Sequence, residues 1–300
     1  MLTKTCAVVA AIWATGCATA ERPSGDNPDA ARSIDAKVAS VDAPATPALD
    51  AAVMIDASPP PPAPKKLIIT EVVLAPTAGE YIEIANPNAT TVALDNYYLT
   101  DSQKYGTLPA AAPSVDPSDM VIRFPAGATL APGAIATVAF DTATNFQITY
   151  GVAPTYSIAS GTMRIVAQNG TASLTNAGEM VALVWWDGAN DLVKDCDSLN
   201  VGVPTTGNTL PNKTGLAVDG PDGGAVTSTY AADAMSMVNM TSAPGNLLSI
   251  KRLKLDVGFQ TANATGNGIT GDDETTEMLA QTWSTTFTAP TPGALPFTLP

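Results

Sequence analysis

From Leu67 onward the chain alternates short apolar runs with Gly, Pro, Asn and Asp. Leu67-Ile68-Ile69-Thr70-Glu71-Val72-Val73-Leu74 stops at Ala75-Pro76, and Tyr81-Ile82-Glu83-Ile84 stops at Asn86-Pro87-Asn88. Successive side chains of a strand point to opposite faces, so Ile82 and Ile84 share one face and Tyr81 and Glu83 the other, the pattern of a half-buried strand. Similar runs predict strands over 92–99, 120–124, 134–140, 162–167, 180–186 and 247–255. Helical periodicity is nearly absent. Strands at this spacing predict an all-β fold, a sandwich of two sheets.

The stretch before Leu67 has a different texture. From Ala18 to Lys66 it is mostly Ala, Pro, Asp and Ser with single apolar residues, and it ends in Pro59-Pro60-Pro61-Pro62-Ala63-Pro64-Lys65-Lys66. Such a composition buries too little apolar surface to offset chain entropy, and a proline run forms a semi-rigid extended spacer; residues 17–66 are therefore expected to be a disordered tether. Residues 1–16 have the layout of a signal peptide, with Lys4, the small apolar run from Thr5 to Trp13, and then Ala14-Thr15-Gly16-Cys17. That run is far short of the roughly 20 residues a helix needs to span a bilayer. Ala14-Thr15-Gly16-Cys17 resembles a bacterial lipobox, which makes Cys17 the expected acylated residue and the membrane its partner; Ala18 after the Cys resembles the pattern of lipoproteins sent to an outer membrane or cell surface. Ala18-Thr19-Ala20 is the alternative, a site for ordinary cleavage and secretion in soluble form.

Charged residues make up 14% of the chain, 28 Asp and Glu against 14 Lys and Arg. That balance disfavours nucleic acid, whose binders carry a basic stripe. The densest basic group, Lys251-Arg252-Lys254, is expected to be a solvated strand face. The chain contains no histidine, which removes Ser-His and Cys-His nucleophile pairs and the common zinc sites. Of three cysteines, Cys6 and Cys17 belong to the amino-terminal signals, leaving Cys196, read as a buried small hydrophobe.

Several segments taken together resemble the lamin tail domain family. They are Ile69-Thr70-Glu71-Val72, Glu80 to Pro87, Val92 to Asp101, Phe124-Pro125-Ala126-Gly127 with Leu130-Ala131-Pro132-Gly133, Leu174 to Glu179, and Thr291-Pro292-Gly293. The resemblance implies an immunoglobulin-like β-sandwich over 67–300, without a catalytic residue pattern. Bacterial members of the family look like binding or architectural modules and often accompany nucleases or phosphoesterases. Residues near 141–171 and 196–245 find no counterpart and are expected to be long insertions.

Candidate chemistry is sparse. Two carboxylates suffice for a glycosidase, which makes Glu71, Glu80 and Glu83 the residues of a carboxylate-only hydrolase reading. The acidic turns offer Asp219, Asp222, Asp272, Asp273 and Glu274 as calcium ligands, although none has the spacing of a known calcium loop. Met235, Met237 and Met240 form a soft-ligand cluster for copper. Trp185 and Trp186 must point to opposite faces of their strand, with Trp185 in the core; Trp186, with Tyr97 or Tyr98, is a candidate platform for a sugar ring. No cofactor is expected. The combined expectation is a non-catalytic surface lipoprotein carrying a binding or structural module, with an envelope protein or a glycan as partner.

Overall fold

A computed structural model describes residues 63–202, 211–234, 241–261, 266–295 and 297–300. Cys17 and the rest of the predicted signal and most of the tether lie outside the described residues, as do Met235, Met237 and Met240. The contacts from Ser58 to Pro300 belong to one unit.

Two five-stranded sheets make the frame. The first runs, in spatial order, β14 (Ile250–Lys251), β1 (Ile68–Val73), β2 (Tyr81–Ala85), β7 (Ile135–Ala139) and β8 (Tyr156–Ser157). The second runs β11 (Lys194–Gly202), β10 (Gly178–Trp185), β4 (Tyr97–Thr100), β5 (Met120–Arg123) and β9 (Arg164–Gln168). Two small ribbons, β3 (Val92–Ala93) with β6 (Thr129–Leu130) and β12 (Ala217–Val218) with β13 (Ser228–Thr229), complete the strands. Neighbours pair antiparallel except β7 and β8.

Alternation decides what fills the space between the sheets. Ile82, Ile84, Ala136, Val138 and Phe140 point inward from the first sheet and Leu99, Ile122, Phe124, Val181, Leu183 and Trp185 from the second, forming the main core. The aliphatic side chains among them, fully removed from water, each contribute about 1.5–3 kcal/mol. A bulge at Thr70 resets the phase of β1, so that Ile69 and Val72 both face this core while Glu71 and Val73 face outward, opposite Glu83 and Tyr81.

Both outer faces are covered as well. On the first sheet, Phe146 and Tyr150 of the helix α1 (Ala143–Tyr150) pack on Val73, Tyr81 and Ala139, with the Tyr81 and Phe146 rings edge to face at 5.5 Å. On the second sheet, Tyr98, Val121, Met180, Ala182 and Val184 lie under Tyr105, Leu108, Val218 and Tyr230.

Three features depart from expectation. The run 92–99 is two strands, because Asp95-Asn96 forms a turn closed by Tyr97 N–H on the Leu94 carbonyl at 3.0 Å. The run 247–255 keeps only β14 as ladder, and Ser249 and Arg252 instead bridge to Thr288 and Trp283. Strand β11 alternates only at Leu199 and Val201, its first half being polar on both faces, and most of it falls within the region assigned to an insertion. The other stretch, 141–171, supplies α1 and the edge strands β8 and β9.

The close pairing of β10 and β11 sets a steric condition at its end. Gly178 and Gly202 stand opposite each other, Gly202 has φ 75°, and a Cβ there would overlap the Ala177 carbonyl oxygen and the Gly178 Cα. Gly202→Ala is expected to lower stability by about 2 kcal/mol or more, read as a fall of several degrees in the thermal midpoint. An unchanged midpoint would show that this end of the ladder is not tightly paired.

Candidate functional site

Two clusters of buried ionisable side chains lie on the two faces of β11, and a bulge explains how. Leu183 pairs with Asp197 and Val184 with Asp195, so Cys196 is the extra residue. Residues two apart normally share a face; here Asp197 turns into the main core with Leu183, and Asp195 turns outward with Val184. The Cys196 thiol is buried, as expected, and accepts from Leu67 N–H at 3.0 Å.

On the inner face, Arg252 is wholly buried. Its Nη2 donates to both oxygens of Asp197 at 2.7 Å, Nη1 to Glu277 Oε1 at 2.8 Å and Nε to the Ile69 carbonyl at 2.7 Å, while the guanidinium lies 4.6 Å from the Trp283 ring. Asp197 also accepts from Ile69 N–H at 2.6 Å. Next to this clamp, Lys66 donates to Asp256 and, at 2.7 Å, to Glu274. Burial alone would lower the pKa of both cations, but the surrounding carboxylates outweigh it and both are raised. Burial raises Asp197 against the pull of Arg252, and raises Glu274 well above the usual carboxyl range. Four acids sharing two cations account for the direction. The expected solvated face at Lys251-Arg252-Lys254 is thus corrected: Lys254 is exposed, but Arg252 is the centre of an internal network.

The outer face of β11 carries a second network around Lys213, also buried. Its Nζ lies 2.9 Å from Asp195 Oδ2, 2.9 Å from Asp233 Oδ2 and 2.8 Å from the Tyr105 hydroxyl.

The three glutamates of the hydrolase reading are buried structural acceptors. Glu71 and Glu83 stand opposite each other on β1 and β2, a like-charge pair that would be unfavourable alone. The carboxy-terminal Thr291-Pro292-Gly293 resolves it, with Thr291 N–H donating to Glu71 at 3.0 Å and Gly293 N–H to Glu83 at 2.6 Å. Glu80 accepts from Leu174 N–H at 3.1 Å. Each carboxylate holds backbone in place, and none of them faces an open cleft.

The aromatic platform is also corrected. Tyr97 and Tyr98 are both buried: Tyr97 faces the core and its hydroxyl exchanges hydrogen bonds with the backbone of Lys65, while Tyr98 lies in the outer cluster of the second sheet. Trp185 is in the core as expected. Trp186 is half-buried against Tyr98, ring centroids 6.2 Å apart, and its Nε1 donates to the Asn190 carbonyl at 2.7 Å. A cleft of about 270 Å³ between residues 63–65 and 91–97 is lined by Tyr97 and Trp185.

The acidic turns separate into two cases. Asp272 accepts from Gln260 and Thr270, Asp273 caps the turn at Thr275, and Glu274 pairs with Lys66, so the structure turns these three to internal contacts. Asp219 and Asp222 do meet, with Asp191, each offering an oxygen within 4.8 Å of the others. Three oxygens fall short of the six to eight a calcium ion takes. Both oxygens of Asp191 already accept, from Gly220 N–H and the Ser228 hydroxyl, which accounts for the convergence as loop closure.

The described part of the chain is thus a closed two-sheet β-sandwich. Its opening segments match the sequence family described as Lamin Tail Domain over residues 60–191. Residues 60–191 are a lamin tail domain. All of β1 to β10 fall inside this stretch, and β11 and β14 lie beyond it, each at one end of its sheet. The lamin tail fold is immunoglobulin-like, in agreement with the two mainly antiparallel layers seen here. A crystal structure of a DUF4876 family protein from Bacteroides thetaiotaomicron is 14% identical, with a TM-score of 0.33 over 68% of this chain. This chain covers 64% of that protein's length. No curated protein matches the chain.

Burial of carboxyls inside the lamin tail domain fixes a pH dependence. Burial pushes Glu83 and Glu179 up from 4.5 to about 7, against the hydrogen bonds that favour their ionised forms. A carboxyl with a higher pKa folded than unfolded binds protons on folding, so its contribution is lost as pH rises between those two values. Stability should therefore fall between about pH 4.5 and 7 and level off above, by at most about 3 kcal/mol per group. Thermal midpoints across that range check it, and Glu83→Gln should flatten the slope. A midpoint that rises with pH through the window would contradict the assignment.

Proposed function

We propose that this protein is an exported, lipid-anchored surface protein whose lamin tail unit serves as a non-catalytic binding or structural module of the cell envelope. The coarser part of this reading, a non-catalytic module, is supported by the family match. The lipid anchor and the envelope location rest on the order of signals along the chain. Gly16-Cys17 ends a short apolar run, an Ala- and Pro-rich stretch follows, and the lamin tail match begins at residue 60. A proline-rich spacer of that kind would hold a folded domain clear of a membrane. The use made of the buried acids agrees, since Glu71, Glu80 and Glu83 are tied to backbone N–H groups.

The test is the fate of the Cys17 sulfur. Expressed in a Gram-negative host, the protein should fractionate with membranes and incorporate labelled fatty acid, and Cys17→Ser should release most of it to the soluble fraction. Membrane association unchanged by Cys17→Ser, or absence of label in the unaltered protein, would reject lipidation and favour cleavage at Ala18-Thr19-Ala20.

A further inference from the structure

The Lys213 network has a chemistry that a structural ion pair does not need. The Lys213 ammonium is 1% exposed on its side chain and lies beneath the rings of Tyr105 and Tyr230, 4.8 and 6.0 Å from their centroids. It faces two carboxyl groups that are not equivalent. Asp233 is fully engaged: Oδ2 accepts from both the backbone N–H and Nζ of Lys213, and Oδ1 accepts from Asn267 Nδ2 at 2.6 Å. Asp195 accepts from Nζ through Oδ2 only, and its buried Oδ1 has no hydrogen-bond partner among the protein atoms. A buried carboxyl that leaves one oxygen without a donor favours its protonated form, which makes Asp195 the acid of the pair.

We propose that Lys213 and Asp195 join spontaneously in an intramolecular isopeptide bond, with Asp233 as the proton carrier and the Tyr105 hydroxyl steadying the reacting oxygen. Within the ion pair one proton passes from Nζ to the bare Oδ1 of Asp195, leaving a neutral amine beside a carboxylic acid whose hydroxyl is Oδ1. The Nζ lone pair attacks Cγ of Asp195 and the N–C bond forms. Asp233 takes a proton from Nζ and returns it to the departing Oδ1 hydroxyl. The C–O bond breaks with its electron pair on oxygen, and one water leaves. An amine and an acid become an amide and water, so no oxidant, metal or cofactor is required.

Three observations favour the reaction. The reacting groups are held at hydrogen-bonding distance in a fixed, dry site, which supplies the proximity that makes amide formation intramolecular. Tyr105 is a hydrogen-bond partner of Asp195, placed to stabilise negative charge as it develops on Oδ2. Burial raises the Asp195 carboxyl, in the direction the acid form requires, although the two acids also hold the Lys213 ammonium up against its own burial. The bond would tie the segment carrying β12 and β13 to β11 by a covalent strap. The one described cysteine, Cys196, is free and buried, so no disulfide fills that role among the described residues.

Intact mass of the purified full chain tests this. A mass lower by one water is expected, with tandem spectra placing the link between Lys213 and Asp195. Lys213→Arg should restore the full mass. Asp195→Asn should still cross-link but with loss of ammonia instead of water, and Asp233→Asn should leave most molecules unlinked. If a variant does not fold, the unaltered protein alone decides. A full mass in protein that unfolds cooperatively would overturn the proposal. So would a water loss placed elsewhere, as in a cyclised Asp-Gly at Asp187, Asp219 or Asp222.

Discussion

Arg252→Ala should destabilise the protein by about 3–5 kcal/mol, the range for removing one partner of a buried ion pair. For a domain of this size that is a fall of about 6–20 °C in the thermal midpoint. The cost arises because Asp197 and Glu277 would remain in the core without their guanidinium, and the Ile69 carbonyl would lose its donor. Arg252→Lys keeps a charge but cannot reach Asp197, Glu277 and Ile69 together, so an intermediate loss is expected. Lys254→Ala, at an exposed position two residues away, should change stability by no more than about 0.5 kcal/mol. Equal effects at Arg252 and Lys254 would contradict the role given to Arg252.

This network shows where sequence reading stops. The core strands could be read because alternation is a local signal: Ile82 and Ile84 against Tyr81 and Glu83 gave the correct faces of β2, and Trp185 the correct inward side of β10. The lamin tail segments could be read because their turn formers and apolar runs keep order. Strand β11 could not, since Lys194-Asp195-Cys196-Asp197-Ser198 is polar on both faces, and only a bulge together with distant cations makes it a strand. Arg252 pairs across 55 residues with Asp197, and Lys213 reaches back to Tyr105 across 108. No spacing rule links such positions. Two adjacent tyrosines in a strand promised one exposed ring, but the second sheet is covered on both faces, so Tyr97 and Tyr98 are both lost to a ligand.

The covered faces and the internal charges lead to one structural claim: the lamin tail domain of this chain is completed by the residues that follow it. Strand β14 flanks β1 and β11 flanks β10, so the segment beyond residue 191 adds a strand to each sheet on the same side. The Arg252–Asp197 pair then joins those two sheets across the core, and the Thr291 and Gly293 N–H groups donate to Glu71 and Glu83 on the far face. The same segment brings Leu199, Val201, Ile250, Leu279 and Trp283 into the main core. Burying these five contributes on the order of 10 kcal/mol, comparable with the whole net stability of a typical domain.

The most direct test compares the unfolding of residues 58–300 with that of residues 58–191, which end where the family match ends. The longer chain should unfold in one cooperative transition, and the shorter should show none, with its sheet edges at β1 and β10 left unpaired and prone to aggregate. A cooperative transition in residues 58–191 with a midpoint close to that of the longer chain would contradict the claim, making the carboxy-terminal segment an accessory to a domain already complete.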